Sequence, residues 1–194
     1  MDARSQRLTN WMPERRLPRV GFLVDTNCIN SRQRIAAMNQ LETWAADDLI
    51  ELLTTEVAHN EALAGNDALR RAKAYQFMFT LSAMTDEEDR SFLRLIESII
   101  FPKGAATQNQ RNDVEIVFNA AKYMRTLVTN DGASRSQPGG ILGNRQALSH
   151  LGVSVMTPDE AVDHVKQEIE ARDHAARKMF EIGAGPLPEW VGKD

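Results

Sequence analysis

Two segments of the chain are rich in apolar and β-branched residues and end at an aspartate. Small polar residues lie next to each aspartate. The first runs from Val20 to Asp25 and the second from Thr126 to Asp131. Each is typical of a strand that leads into a functional loop. Helical patterns separate the two segments, and strands that alternate with helices favour a parallel sheet with helices on both faces. We therefore predict a three-layer α/β/α fold with a four- to five-stranded parallel sheet.

Apolar periodicity and capping residues predict the remaining elements. Two further strands are expected at residues 49–53 and 152–156. Helices are expected at residues 30–44, 55–65, from about 112, 138–149 and 158–180. Residues 66–100 show no strand pattern and predict two helices that form a helical arm, the second beginning at the capping box Thr85 to Glu88.

Composition divides the chain into three regions. Residues 1–19 hold five arginines against one aspartate and one glutamate, which predicts a flexible basic N-terminal arm. Residues 20–158 form the expected globular domain, which includes the helical arm. Residues 159–194 form the expected C-terminal helix and tail, and the glycines and prolines of 183–188 indicate an unstructured end or a docking peptide.

Charge and cysteine content exclude several classes of protein. The formal net charge of −4 argues against a protein that coats nucleic acid by bulk electrostatics, although local basic clusters can still bind phosphates. Cys28 is the only cysteine, so an intramolecular disulfide is impossible and a zinc site would need scattered histidines and carboxylates. No apolar segment approaches the roughly 18 residues that span a bilayer, and the N-terminus lacks the apolar block of a signal peptide. We expect a cytoplasmic protein without a membrane partner.

Four acidic residues follow the predicted strands or lie on adjoining helices: Asp25, Glu61, Asp113 and Asp131. Ligands of open α/β sheets bind outside the carboxyl ends of the strands, so these acids would face one crevice. Two unit charges about 5 Å apart repel by roughly 3 kcal/mol at an effective dielectric near 20, so the cluster needs a cation or protonated acids. Oxygen ligands without cysteine or a histidine pair favour Mg²⁺ or Mn²⁺ over Zn²⁺. The four acids are therefore the predicted catalytic residues and metal ligands.

The expected cofactor indicates the chemistry. Mg²⁺ keeps some of its waters and shares its coordination shell with substrate phosphates, which points to hydrolysis of a phosphodiester. Neutral polar side chains beside the acids would orient carboxylates or waters. These are Thr26, Asn27, Thr129 and Asn130. Basic side chains would position the nucleic-acid backbone. These are Arg32, Arg34, Arg111 and Arg135.

Each acid also has an ordinary structural explanation when it is taken alone. Asp25 or Asp131 could cap a helix that follows a strand, and Glu61 could be an exposed helix residue. The helix expected from about residue 112 would place Asp113 in its first turn, where the helix dipole tends to keep the carboxylate ionised. The order of the four acids favours a common site.

The acidic motifs, taken together, resemble those of PIN-domain ribonucleases, the family of VapC-type toxins. The resemblance covers about residues 20–158, and its motifs are the segments 23–27, 57–61, 112–113 and 127–131. It implies a PIN-like fold and a Mg²⁺- or Mn²⁺-dependent endonuclease that cleaves single-stranded RNA. It also implies a homodimer and an antitoxin protein as a partner. The arm at 1–19 and the extension beyond about residue 175 are additions to the compact toxin pattern.

The second acid has two candidates, because Glu56 also follows the second strand. The resemblance favours Glu61, since the family places this acid within the helix behind a hydrophobic position, here Val57.

The sequence is also compatible with other functions. The same fold could serve as a catalytically weak module that binds RNA or protein, or the acids could cleave DNA. A phosphatase with an aspartate nucleophile would need a second aspartate two residues after Asp25, where Asn27 stands. The histidines show no metal-ligand spacing. Phe77, Phe79, Phe92 and Phe118 lie at helical spacing, which predicts core packing rather than base stacking.

Overall fold

The computed structural model of the chain describes residues 13–81, 86–133 and 139–194. These residues form five strands and eight α-helices. The strands are β1 (Gly21–Val24), β2 (Glu51–Thr55), β3 (Met78–Thr80), β4 (Thr126–Val128) and β5 (Val155–Met156). The helices are α1 (Ala36–Ala46), α2 (Glu56–Ala64), α3 (Ala68–Ala74), α4 (Glu87–Ile100), α5 (Gln108–Lys122), α6 (Gly140–Gly143), α7 (Arg145–Ser149) and α8 (Pro158–Glu181).

The five strands form one parallel sheet in the order β3-β2-β1-β4-β5. Strand β1 lies at the centre, and all four of its residues are buried. Val24 at its end pairs with Thr54 on one side and Val128 on the other, so the carboxyl ends of three strands are aligned. The predicted parallel α/β sheet is confirmed.

Helices cover both faces of this sheet. On one face, α1 and α8 pack over Phe22 and Val24. On the other face, α4, α5 and α7 pack over Leu23 and Leu127. Alternate residues of β1 thus point into two separate cores, which explains the uninterrupted apolar sequence of this strand. The expected three-layer arrangement follows.

The region 66–100 differs from its prediction. Helices α3 and α4 are present, but strand β3 lies between them and forms the edge of the sheet next to β2. The expectation that this region lacks a strand is therefore wrong. Helix α4 packs against α5, and Asp86 caps it by accepting the N–H of Asp89 at 2.8 Å. Thr85, the expected start of its capping box, lies outside the described residues.

Two helices begin at other residues than the sequence pattern indicates. The helix expected from residue 30 begins at Ala36, because the Asn30 side chain accepts the N–H groups of Arg34 and Ile35 and closes a loop before it. The helix expected from residue 112 begins at Gln108, where Thr107 and Gln110 form a capping box. In place of one helix over 138–149, two short helices occur, and Pro138 lies outside the described residues.

The C-terminal tail folds back onto the domain. Arg172 on α8 donates to Asp173 and to Asp194, and all three side chains are buried. Its guanidinium also lies 4.3 Å from the ring centre of Trp190. Of the two expectations for this tail, an unstructured end or a docking peptide, the structure shows a tail that docks onto its own chain.

Part of the expected N-terminal arm also packs against the domain. Leu17 is buried and donates its N–H to the Leu49 carbonyl at 2.7 Å, while Arg15 pairs with Asp194 at 2.6 Å. Residues 1–12 lie outside the described residues. Within the described ranges, no helix is long and apolar enough to cross a membrane.

Candidate active site

Asp25 and Asp131 lie at the same edge of the sheet, at the carboxyl ends of β1 and β4. Asp25 follows β1 directly, is buried, and donates its backbone N–H to the Val128 carbonyl at 3.0 Å. Asp131 lies three residues beyond the end of β4. Because β1 and β4 are neighbours in the sheet, the two acids meet at one point of its edge.

The hydroxyl of Thr129 connects these two acids. It donates to Asp25 Oδ2 at 2.6 Å and accepts the N–H of Asp131 at 2.9 Å. Asn27 Nδ2 is a second donor to Asp25 Oδ2, at 2.7 Å. Asn27 Oδ1 accepts the N–H of Asn130 at 3.0 Å. Two side-chain donors thus fix the orientation of the Asp25 carboxylate.

Helix α2 carries Glu61 to the same edge. Its Oε2 atom accepts the Thr26 hydroxyl at 2.7 Å, and its Oε1 atom accepts Asn112 Nδ2 at 2.9 Å. Thr26 directly follows Asp25, and Asn112 directly precedes Asp113. Glu61 is therefore bound to the residues beside two of the other acids.

The rival acid, Glu56, occupies the first turn of α2. Glu61 contributes to the raised pKa of both Asp25 and Asp113. The structure thus places Glu61 beside the other acids.

Asp113 joins the cluster from α5, but from a different turn than the sequence indicates. It is the sixth residue of α5 and so lies in the second turn, beyond the part of a helix where the dipole acts most strongly. Burial, followed by the negative charges of Asp25, Asp131 and Glu61, raises its pKa to about 7. The expectation that Asp113 lies in the first turn of its helix is therefore wrong.

Asp25 is perturbed in the same direction. Burial, with a smaller contribution from the charges of Asp131 and Glu61, raises its pKa to about 6. The hydrogen bonds from Thr129 and from the backbone of Thr26 oppose this rise. Among the described residues, the charges that shift the pKa of Asp25 and Asp113 belong to carboxylates, so the folded state disfavours a negative charge at both.

The backbone at the start of α6 fixes the carboxylate of Asp131. Its Oδ2 atom accepts the N–H of Ile141 at 2.8 Å. The preceding residue, Gly140, has a φ of +58°, and a Cβ atom placed there would overlap the Gly132 carbonyl oxygen. Only glycine permits this close approach, so Gly140 is required for the contact that holds Asp131.

The four arginines expected to bind RNA have different surroundings. Arg32 is exposed and pairs with Asp67 at 3.1 Å, and Arg34 is exposed on the same loop. Arg111 donates to the carbonyls of residues 105 and 106 just before α5. Arg135 lies outside the described residues. Arg32 and Arg34 thus offer cations at the surface, while Arg111 serves the start of its own helix.

The donor chemistry of the cluster fits a hard divalent cation. Its ligand atoms would be carboxylate oxygens, which suit Mg²⁺ and Mn²⁺. Among the described residues, however, no group of three or more His, Cys, Asp or Glu side chains is arranged to hold a metal ion by itself. Mg²⁺ is commonly bound through one or two carboxylates together with waters and substrate phosphates.

Three residues of the site were not identified from the sequence. Asn112 binds Glu61, the backbone of Ile141 binds Asp131, and Arg70 on α3 donates to the Thr26 carbonyl. Asn112 carried a signal, because it is polar and adjacent to Asp113. The other two contacts involve backbone groups, which leave no mark in the sequence.

Comparison with known proteins adds no family assignment. No family model matches the chain, and no curated protein is significantly similar to it.

Proposed function

We propose that the chain is a Mg²⁺- or Mn²⁺-dependent endoribonuclease that hydrolyses phosphodiester bonds of single-stranded RNA. One observation carries the proposal: Asp25, Glu61, Asp113 and Asp131 lie together at one edge of the sheet, where burial and then the charges of the other three acids raise the pKa of Asp113 to about 7. Buried acids that resist ionisation in this way are costly to a fold unless they serve chemistry. A dication removes that cost by compensating their charge.

The residues around the acids support a catalytic role. Thr129 and Asn27 orient Asp25, Thr26 and Asn112 orient Glu61, and the N–H of Ile141 orients Asp131. Hydrogen bonds of this kind hold metal-binding carboxylates in fixed directions. When bound, Mg²⁺ or Mn²⁺ would activate water and neutralise charge on the phosphate oxygens. The chain itself would hold the carboxylates and exclude other orientations of them.

The choice of RNA as substrate rests on the resemblance of the acidic motifs to those of PIN-domain ribonucleases. An antitoxin partner, a homodimer and a role as a toxin stay predictions of the same resemblance. Arg32 and Arg34 support a polyanionic substrate, because both are exposed cations on the loop that follows the turn at residues 26–28.

A cleavage assay tests the proposal. A pool of end-labelled single-stranded RNA is incubated with the protein in Mn²⁺, in Mg²⁺ and in excess chelator. We expect cleavage that requires the dication and that both Asp25→Asn and Asp113→Asn abolish. Glu170→Gln is the matched control, because Glu170 is an exposed acid on α8, outside the cluster. Cleavage by Asp25→Asn at the wild-type rate would refute the proposal. Cleavage of DNA but not of RNA would show that the substrate is DNA.

A second candidate is a binding module of the same fold that does not hydrolyse RNA. The observation in its favour is that no three acidic or histidine side chains of the described residues are arranged as joint metal ligands. Calorimetric titration with Mn²⁺ separates the two functions. The nuclease requires binding that Asp113→Asn weakens, whereas the binding module requires no metal site that depends on these carboxylates.

A further inference from the structure

Five exposed hydrophobic side chains lie along α3 and the edge strand β3. They are Leu69, Tyr75, Met78, Phe79 and Leu81, which are between 44% and 71% exposed, and Met78 points to the opposite face of β3 from Phe79. Two of the five are aromatic. The expectation that Phe79 belongs to the core is therefore wrong. Exposed apolar groups of this kind mark a surface that binds something.

The two aromatic rings share one support. The imidazole of His59 stacks on the ring of Phe79, with centroids 4.7 Å apart and an interplanar angle of 26°. Tyr75 contacts the same imidazole edge-on, with centroids 5.7 Å apart. His59 itself is buried on α2 and holds the inner side of both rings, so their outer sides face solvent. We call Tyr75, Phe79 and His59 the aromatic platform.

Cations lie beside this platform. Helix α3 has the sequence Ala-Leu-Arg-Arg-Ala-Lys-Ala and contains no acidic residue. Lys73 pairs with Glu42 at 2.7 Å, whereas Arg70 and Arg71 make their hydrogen bonds to backbone carbonyls, which carry no net charge. Arg70 donates to the carbonyl of Thr26, the residue after Asp25, so α3 connects the platform to the acidic cluster.

We propose that the aromatic platform binds unpaired nucleobases of a single strand whose phosphates lie along Arg70 and Arg71. The identity of that strand as the RNA to be cleaved rests on the proposed function. Aromatic rings accept bases of any type by stacking, and adjacent cations follow the phosphate backbone. The platform thus serves as a binding subsite beside the acidic cluster and acts without reading sequence.

Charge favours a nucleic acid over a second copy of the chain on this surface. A two-fold interface brings the same patch of both protomers together, so it would concentrate the positive charges of Arg70 and Arg71 from both copies on one surface. The phosphates of a nucleic acid are attracted to these cations, and its bases stack on the aromatic rings. A nucleic acid can therefore use both the charged and the apolar groups of this surface.

The test measures binding of a fluorescently labelled single-stranded RNA by anisotropy, in excess chelator so that no cleavage occurs. Tyr75→Leu and Phe79→Leu keep an apolar side chain but remove the ring. We expect each to weaken binding by about fivefold or more, because stacking on an aromatic side chain contributes at least about 1 kcal/mol per base. Tyr75→Phe and Phe79→Tyr keep the ring and should stay within about twofold of wild type.

Two matched controls complete the experiment. Leu187→Ala removes an exposed apolar side chain of the tail and should leave the affinity unchanged. An RNA duplex of the same sequence should respond little to the Leu variants, because its bases are already stacked. Tyr75 is 71% exposed, so its replacement leaves folding intact even if Phe79→Leu does not.

Three results would overturn the inference. The first is equal affinity of wild type and both Leu variants for the single strand. The second is absence of RNA binding by the wild type. The third is a dimer in light scattering that Tyr75→Leu dissociates, which would assign the surface to a second copy. If the protein cleaves RNA with a metal ion but the Leu variants bind RNA as the wild type does, the nuclease proposal stands and the platform proposal fails. If binding depends on the rings but no RNA is cleaved, the platform proposal stands and the nuclease proposal fails.

Discussion

Thr129 donates a hydrogen bond of 2.6 Å to the Asp25 carboxylate, although 104 residues separate the two in sequence. The pairing of β1 with β4 brings them together, and the same hydroxyl accepts the N–H of Asp131. The direction of one carboxylate and the backbone position of another thus depend on a single buried side chain.

Replacing Thr129 by valine should impair catalysis more than folding. Valine keeps the shape of threonine but removes the donor to Asp25. Loss of a side chain that orients a metal ligand commonly costs about 10- to 100-fold in metal affinity or activity. We expect a loss of this size in Mn²⁺ affinity by calorimetry and in RNA cleavage, and Thr129→Ser should restore both.

Thr54→Val is the matched control for that substitution. Thr54 is equally buried and lies near the end of β2, but its hydroxyl donates to the backbone carbonyl of Val24. Its removal should lower the free energy of unfolding by about 1 kcal/mol and leave Mn²⁺ affinity unchanged. Equal effects of the two variants on Mn²⁺ affinity would contradict the role of Thr129.

The stability of the metal-free protein should fall as pH rises from about 4 to about 7. The folded state raises the pKa of Asp25 to about 6 and that of Asp113 to about 7, from 3.8 in both cases. A raised pKa means that the folded state binds the proton more tightly, so its contribution is present at low pH and lost as pH passes the folded-state value. Thermal unfolding in chelator across this range measures the effect.

Asp113→Asn should therefore stabilise the metal-free protein at pH 8 and change little at pH 4. Allowing for the partial exposure of Asp113, we expect a gain on the order of 1–3 kcal/mol in the free energy of unfolding. Glu170→Gln removes an exposed acid and should change neither value. Destabilisation by Asp113→Asn at pH 8 would show that the four acids do not repel one another.

Added Mn²⁺ should reverse this order of stability at pH 8. A ligand that binds only the folded state stabilises it, so the wild type should unfold at a higher temperature as Mn²⁺ increases. Asp113→Asn should respond much less, because it lacks one of the carboxylates. Differential scanning calorimetry at several Mn²⁺ concentrations measures both, and equal shifts for the two proteins would place the metal elsewhere.

Gly140→Ala should disrupt the site through Asp131. The methyl group would overlap the Gly132 carbonyl oxygen, and the positive φ adds strain, so the N–H of Ile141 would move away from Asp131 Oδ2. We expect a loss of about 1–3 kcal/mol in stability together with a loss of cleavage. In Gly143→Ala the new methyl group meets no atom within 4 Å, so this variant should retain activity.

The ion network of the tail should contribute to stability alone. Arg172→Met leaves Asp173 buried without its main partner and removes one of the two arginines that bind Asp194, which should cost about 3 kcal/mol in denaturant unfolding. Arg177→Met is the control. The Arg177 side chain is 53% exposed, and its contact with Asp173 is long, at 4.0 Å. At a temperature where Arg172→Met stays folded, its RNA cleavage should equal that of wild type.

The central sheet could be predicted from the sequence because its strands carry strong apolar signals. Strand β1 is buried on both faces, so its sequence is continuously apolar and stops at Asp25. Strand β3 has three residues and lies at the sheet edge, where the same signal is weak. Phe79 therefore resembled a core residue of a helix.

The site was predictable in its acids but not in the contacts that orient them. The apolar pattern of the sequence predicts where β1 and β4 end, and the acids that follow these ends can be located from it. The start of α5 was misplaced because the Thr107–Gln110 capping box lies in a polar segment that resembles a loop. The approach of Ile141 to Asp131 depends on the positive φ of Gly140. Other glycines in the described part of the chain, such as Gly104 and Gly152, also have a positive φ but make no such contact with an acid of the site, so the sequence does not single out Gly140.

The hydrogen bond between Thr129 and Asp25 also sets a condition for when the chain can act at all. Residues this far apart meet only after β4 has joined the sheet, so a nascent chain whose β4 is still inside the ribosome has no assembled acidic pocket. Dication affinity would accordingly report the pairing of β4 with β1.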